Sequence, residues 1–163
     1  MQEVAQIPKI SWTVNHTNGD IVVQADRPPK AVHMWHANTC ALSPRRDFRI
    51  VNWDDPCLCG LVVDKYCANL AVLWTAEELQ ETSPGSLTYV AHREMPSFGR
   101  WTAFFVDVQF EGPEESSSAS NLTGKAWPFG QNGVFVFTTE ASVLPNTFPF
   151  EDCQAEECLG DLL

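Results

Sequence analysis

Three of the ten Lys and Arg residues in this 163-residue chain crowd into Ser43-Pro44-Arg45-Arg46-Asp47-Phe48-Arg49, around a single acid. Arginine makes forked, charge-assisted hydrogen bonds to carboxylates and to backbone carbonyls. The cluster therefore reads either as a surface ion pair or as a clamp on a neighbouring domain. In an extended Arg46–Asn52 stretch, Arg46, Phe48 and Ile50 share one face, and Asp47, Arg49 and Val51 the other. Phe48 and Ile50 are then expected to face the core, with Asp47 and Arg49 free to pair with each other or across strands. A bare surface pair is worth at most about 1 kcal/mol.

Hydrolytic chemistry has little support. A nucleophile elbow needs Gly-x-Ser-x-Gly, because small neighbours permit its sharp turn. Ser97, in Met95-Pro96-Ser97-Phe98-Gly99, has only the trailing glycine and reads as a turn between strands. No catalytic residue is assigned; His92, close to Ser97, is the remaining suspect. His33-Met34-Trp35-His36 looks like a metal pair, but on a strand residues three apart face opposite sides. Adding Asp54, Asp55 and Cys57-x-Cys59 produces no structural-zinc spacing. Neither a metal nor a cofactor is expected.

The six cysteines are Cys40, Cys57, Cys59, Cys67, Cys153 and Cys158, and two N-glycosylation sequons begin at Asn15 and Asn121. Together they suggest an oxidising, secretory history. Six cysteines allow about 15 connectivities. In an extended chain Cys57 and Cys59 stand too close to bridge each other comfortably, so each should find a more distant partner. Cys153 either closes a small loop with Cys158 or staples the tail to the body, for example to the Cys57–Cys67 region. The opening MQEVAQIPK has neither a basic n-region nor an apolar h-region. The secretory leader is therefore expected in a missing N-terminal part.

These side chains need a scaffold. The length suits one domain with a proper core, and 44% hydrophobic with 19% charged residues is ordinary for a globular chain. A net charge of -11 disfavours nucleic acid and anionic lipid as partners. No stretch is long and apolar enough to span a bilayer. Short β-rich runs recur: Ile10–Val14, Ile21–Ala25 after the turn signal Asn18-Gly19-Asp20, Ala31–Trp35, Phe48–Asn52, Leu70–Thr75, Leu87–His92, Trp101–Phe110 and Val134–Thr139. Glu77–Thr82 reads as one helical turn or an exposed link. Glu111–Ser120 reads as a solvated hairpin tip. Short strands at this spacing, without a long helical pattern, predict an all-β, antiparallel β-sandwich of the immunoglobulin or fibronectin-III kind, with long loops and a short helix or none. Trp12, Trp35, Trp74 and Trp101 lie in apolar runs and are expected in the core. Trp53 and Trp127 sit in loop-like contexts, available to a glycan or a receptor.

The chain also resembles a known family. Ile7-Pro8 … Ser11-Trp12, Pro29-Lys30-Ala31-Val32-His33-Met34-Trp35-His36-Ala37 and Arg46-Asp47-Phe48-Arg49 carry the likeness. Gly99-Arg100-Trp101-Thr102-Ala103-Phe104-Phe105-Val106, Phe135-Val136-Phe137-Thr138-Thr139-Glu140 and Pro145–Cys153 continue it. In order and direction these resemble the C-terminal part of the PhoPQ-activated pathogenicity-related family, which includes autocrine proliferation repressor proteins. Cys40, Cys59, Cys67 and the insertion around Asp54–Asn69 depart from that pattern. The resemblance implies a β-sandwich domain over residues 7–150 and an acidic, Cys-containing tail over 151–163. It also implies an upstream α/β-hydrolase-like domain, missing here, that would hold any nucleophile. Arg46, Asp47 and Arg49, with Trp35 and Trp101, become structural or interface residues. The expected role is non-catalytic packing against that hydrolase-like domain in a secreted glycoprotein. Two rivals stand beside it: a residue such as His92 lent to the hydrolase site, and a stand-alone glycan- or receptor-binding module.

Overall fold

The computed structural model describes residues 7–40, 46–52, 56–97, 100–112 and 134–145. Among them eleven strands follow one another: β1 (Ile10–Val14), β2 (Ile21–Ala25), β3 (Ala31–Asn38), β4 (Val51–Asn52), β5 (Gly60–Val63), β6 (Tyr66–Asn69), β7 (Thr75–Glu78), β8 (Thr88–Ala91), β9 (Thr102–Glu111), β10 (Val134–Thr138) and β11 (Ser142–Leu144). Every pairing is antiparallel, and no helix occurs among the described residues. The all-β expectation holds.

Two sheets form the sandwich. One has the order β1-β2-β8; the other runs β10-β9-β3-β7, with β11 also on β9. Alternation along the strands decides what lies between them. Ile21, Val23 and Ala25 of β2, with Tyr89 and Ala91 of β8, face Val32 and Met34 of β3 and Phe104, Val106, Val108 and Phe110 of β9. The β1–β2 hairpin closes on the predicted turn. Asn15 carbonyl accepts from Gly19 N–H at 2.7 Å, and Gly19 takes φ of 80°. A Cβ there would stand 2.7 Å from the Leu144 side chain, so only glycine lets the turn lie against β11.

The third sheet, β4-β6-β5, sits on residues 51–69. Its β5–β6 hairpin turns through Asp64 and Lys65, with Asp64 at φ of 61°. Gly60 is fixed by closeness: a Cβ would fall 2.0 Å from the Ala68 carbonyl oxygen.

Three element boundaries differ from the sequence reading. Within Phe48–Asn52 only Val51 and Asn52 pair, because the chain is still turning at Asp47–Arg49. The run Leu70–Thr75 is mostly a turn: Asn69 Oδ1 accepts from Ala71 N–H at 3.1 Å and redirects the chain. The strand is Thr75–Glu78, taken from the segment read partly as a helical turn or link. It is exposed along its length and is held by main-chain pairing to β3, which asks little of its side chains. Glu111–Ser120 falls largely outside the described residues, although β9 and β10 pair as a hairpin requires, Glu111 opposite Val134.

Candidate functional site

Two places gather the residues capable of chemistry. The first is the outer face of the β3–β9 sheet. His33 lies opposite Asp107 in the register, and Trp35 stands two residues along the same face. Asp107 accepts from Trp35 Nε1 at 2.6 Å and from His33 Nδ1 at 3.1 Å. Only 7% of Asp107 is exposed, and both its oxygens are used, as a buried carboxylate requires. Beside it Phe105 meets Trp74 at 5.5 Å between ring centroids, and Trp74 meets Phe48 at 6.2 Å. The Arg46 guanidinium carbon lies 4.9 Å from the ring centroid of buried Trp101, a cation–π contact.

The described part of the cluster, Arg46–Arg49, therefore takes its place between sandwich and third sheet. Asp47 accepts from Arg49 three times: backbone N–H at 3.0 Å, Nε at 2.9 Å and Nη2 at 2.6 Å. The fork is local, and it shapes a turn. Phe48 packs inward as expected, but Ile50 is 53% exposed, because the turn breaks the alternation before it. Trp35 and Trp74 are half-buried and Trp101 is buried. Trp12 departs from the core expectation. It is 39% exposed on edge strand β1 and reaches the rim, where its Nε1 donates to Glu140 at 3.3 Å.

Two disulfides tie the third sheet down. Cys40, just past β3, bonds to Cys59, and Cys57 bonds to Cys67 of β6. Cys57 and Cys59 do take separate, more distant partners. A bridge from the tail to the Cys57–Cys67 region is excluded, since these four cysteines pair among themselves. The resulting cystine lobe is apolar outside: Leu58, Leu61, Val62, Val63, Leu70 and Leu73 are each 48% to 70% exposed.

The second place is a cleft of about 400 Å³ at one end of the sandwich. The segment leaving β8 supplies His92, Arg93 and Ser97; the ends of β3 and β9 supply Asn38, Arg100 and Thr102. His92 Nδ1 stands 2.6 Å from Asp20 Oδ1, and Nε2 stands 3.4 Å from Glu94 Oε1. The hydrogen bond to Asp20, then that to Glu94, raises the His92 pKa above the ordinary 6.5. Asp20 is itself fixed, because its Oδ2 accepts from Asn18 Nδ2 at 2.8 Å. A second network runs alongside: Glu77 accepts from His36 Nε2 at 2.8 Å and from Arg93 Nη1 at 3.0 Å. Thus His33 and His36 point to opposite faces, each toward its own carboxylate. Among the described residues no three His, Cys, Asp or Glu form a metal-binding group.

An acid on Nδ1 is the arrangement that orients an imidazole in acyl-transfer enzymes. Here, however, Nε2 faces a carboxylate. What the cleft offers plainly is hydrogen-bond donors. Sequence reasoning paired His92 with Ser97 but missed Asp20 and Asn38, which only strand register brings near, and Arg100, three residues beyond Ser97. Asn15 lies in an exposed turn, with its Oδ1 accepting from Thr17 N–H at 2.9 Å. Arg45, Trp53, Trp127, Asn121, Cys153, Cys158 and the 151–163 tail lie outside the described residues.

No family model matches the chain, and no solved structure matches it. It is 26% identical over 161 residues to Autocrine proliferation repressor protein A of Dictyostelium discoideum. That match covers 94% of this chain and 28% of the relative, so the chain spans little more than a quarter of that protein's length. The chain is thus an all-β sandwich distantly related to an autocrine proliferation repressor protein.

Proposed function

We propose that this chain is a non-catalytic β-sandwich domain of a secreted, disulfide-bonded protein of the autocrine proliferation repressor kind. Its cystine lobe packs against another domain of the same polypeptide, α/β-hydrolase-like as the resemblance to the PhoPQ-activated pathogenicity-related family implies. The observation that carries this reading is the lobe itself. Two disulfides hold Leu61, Val62 and Val63 in an ordered edge strand, all at least 60% exposed. An ordered apolar patch on a strand edge supports a contact surface. The 28% share of the relative's length leaves room for the domain that would cover it.

Hydrogen exchange tests the reading. Amides of Gly60–Val63 should exchange readily in the isolated domain and become protected in a polypeptide of the relative's full length. Equal exchange in both would remove the lobe as the docking surface. A second reading has one observation in its favour: Asp20 holds His92 by Nδ1 in a cleft that Ser97 also lines. His92 would then assist hydrolysis in the whole protein, and His92→Ala would lower turnover of simple esters without unfolding it.

A further inference from the structure

The end cleft has unspent donors, and the acids that neighbour its lining residues are committed elsewhere. Asp20 is taken by His92 and Asn18, and Glu77 by His36 and Arg93. Thr102 donates to Asn38 Oδ1 at 2.6 Å, which leaves the Asn38 amide N–H groups without a protein acceptor among the described residues. The Ser97 hydroxyl and the Arg100 guanidinium likewise meet no partner there, and Arg93 uses a single N–H, on Glu77. Among the described lining residues the acid is Glu94, almost wholly in solvent and 3.4 Å from His92 Nε2.

We propose that this cleft is a binding site for a ligand carboxylate, held by the Arg100 guanidinium with Asn38, Ser97 and the free N–H groups of Arg93. Three features point to a monoanion. Of the cleft's two arginines, Arg100 is the one without a counter-charge among the described residues, so one ligand charge balances it. A guanidinium matches the two oxygens of a carboxylate with parallel hydrogen bonds. Glu94 at the rim, and a chain that carries -11 overall, oppose a dianion such as phosphate. The volume of about 400 Å³ admits a small ligand or the end of a chain. Two of the ten Lys and Arg of an acidic protein are placed here, at the open end of the sandwich.

The test is a titration of the whole chain, labelled at arginine side chains, followed by NMR and calorimetry. The probes are N-acetylalanine and acetyl-alanyl-alanine for peptide-type carboxylates, glucuronate for a sugar acid, and inorganic phosphate. Saturable binding of a carboxylate probe that shifts the Arg100 side-chain signals is the expected result. Preference for the peptide-type probes or for glucuronate identifies the source of the carboxylate. Arg100→Ala should weaken that binding by about tenfold or more. The near-isosteric Asn38→Asp, which puts a negative charge in the cleft, should weaken it similarly. Both variants should keep the wild-type circular dichroism, since the Arg100 side chain meets no partner among the described residues and Asn38→Asp keeps an oxygen to accept from Thr102. Absence of saturable binding, phosphate binding more tightly than every carboxylate, or unchanged affinity in Arg100→Ala would each overturn the proposal.

Discussion

At the residue scale, Asp107 carries more of the fold than the arginines that first draw the eye. Its carboxylate is buried and receives both Trp35 Nε1 and His33 Nδ1. Asp107→Ala leaves two donors without an acceptor, which should cost roughly 2–4 kcal/mol; urea denaturation would measure it. Arg49→Ala, by contrast, removes half of a pair whose arginine is 59% exposed, and should cost no more than about 1 kcal/mol. A loss from Asp107→Ala no larger than that from Arg49→Ala would show that the sheet face is held by something else. His92 supplies a pH signature. Its folded pKa lies above the ordinary 6.5 because Asp20 and Glu94 favour the charged ring. The stabilisation is therefore complete below the ordinary value and is lost as pH rises through the folded one. Solvent screens the pair, since half of the His92 side chain is exposed. Wild type should exceed His92→Gln in thermal midpoint at about pH 5, and the gap should shrink toward about pH 9. A gap that widens on the alkaline side would contradict the Asp20–His92 pairing.

At the element scale, what the sequence revealed depended on how local the information was. The β1–β2 hairpin was legible because Asn18-Gly19-Asp20 lies between two apolar runs, and β9 because its alternation is long. The cystine lobe was not. Its hairpin turns at Asp64-Lys65, without the Asn-Gly or Asp-Gly that marks such turns. The four cysteines also admit several pairings until the strands place them. Asp107 was not legible either: its burial beside His33 and Trp35 on the outer face of β9 depends on the β3–β9 register. Asp20 and His92, 72 positions apart, meet only through the β2–β8 register. Cys57 and Cys67 close a loop of 10 residues, and Cys40 and Cys59 one of 19. Chain-entropy reasoning gives each about 2–4 kcal/mol. Replacing all four cysteines by serine should therefore loosen residues 46–74 while the sandwich core still folds. Hydrogen exchange would show protection lost in β6 and retained in β2 and β9. Simultaneous loss in both regions would mean that lobe and sandwich fold as one unit.

At the scale of the whole molecule, two surface properties oppose each other. A net charge of -11 keeps copies of the chain apart, while the lobe presents an apolar edge strand with the kind of unpaired edge that invites pairing. The balance is set by ionic strength, because the repulsion is long-ranged and the apolar contact is not. The Debye length falls from about 30 Å at 0.01 M salt to about 3 Å at 1 M. The isolated chain should thus be monomeric in dilute salt and associate progressively as salt is added, in sedimentation runs at fixed protein concentration. Leu61 and Val63 lie on the same face of β5, so Leu61→Asp with Val63→Asp breaks up the patch and adds charge. That variant should stay monomeric throughout the range. If it associates as readily as wild type, self-association runs through another surface and the lobe is not the adhesive part of the molecule. If wild type stays monomeric as well, the lobe is less adhesive than its exposure implies, and its contact with a neighbouring domain would have to rest on its own complementary fit.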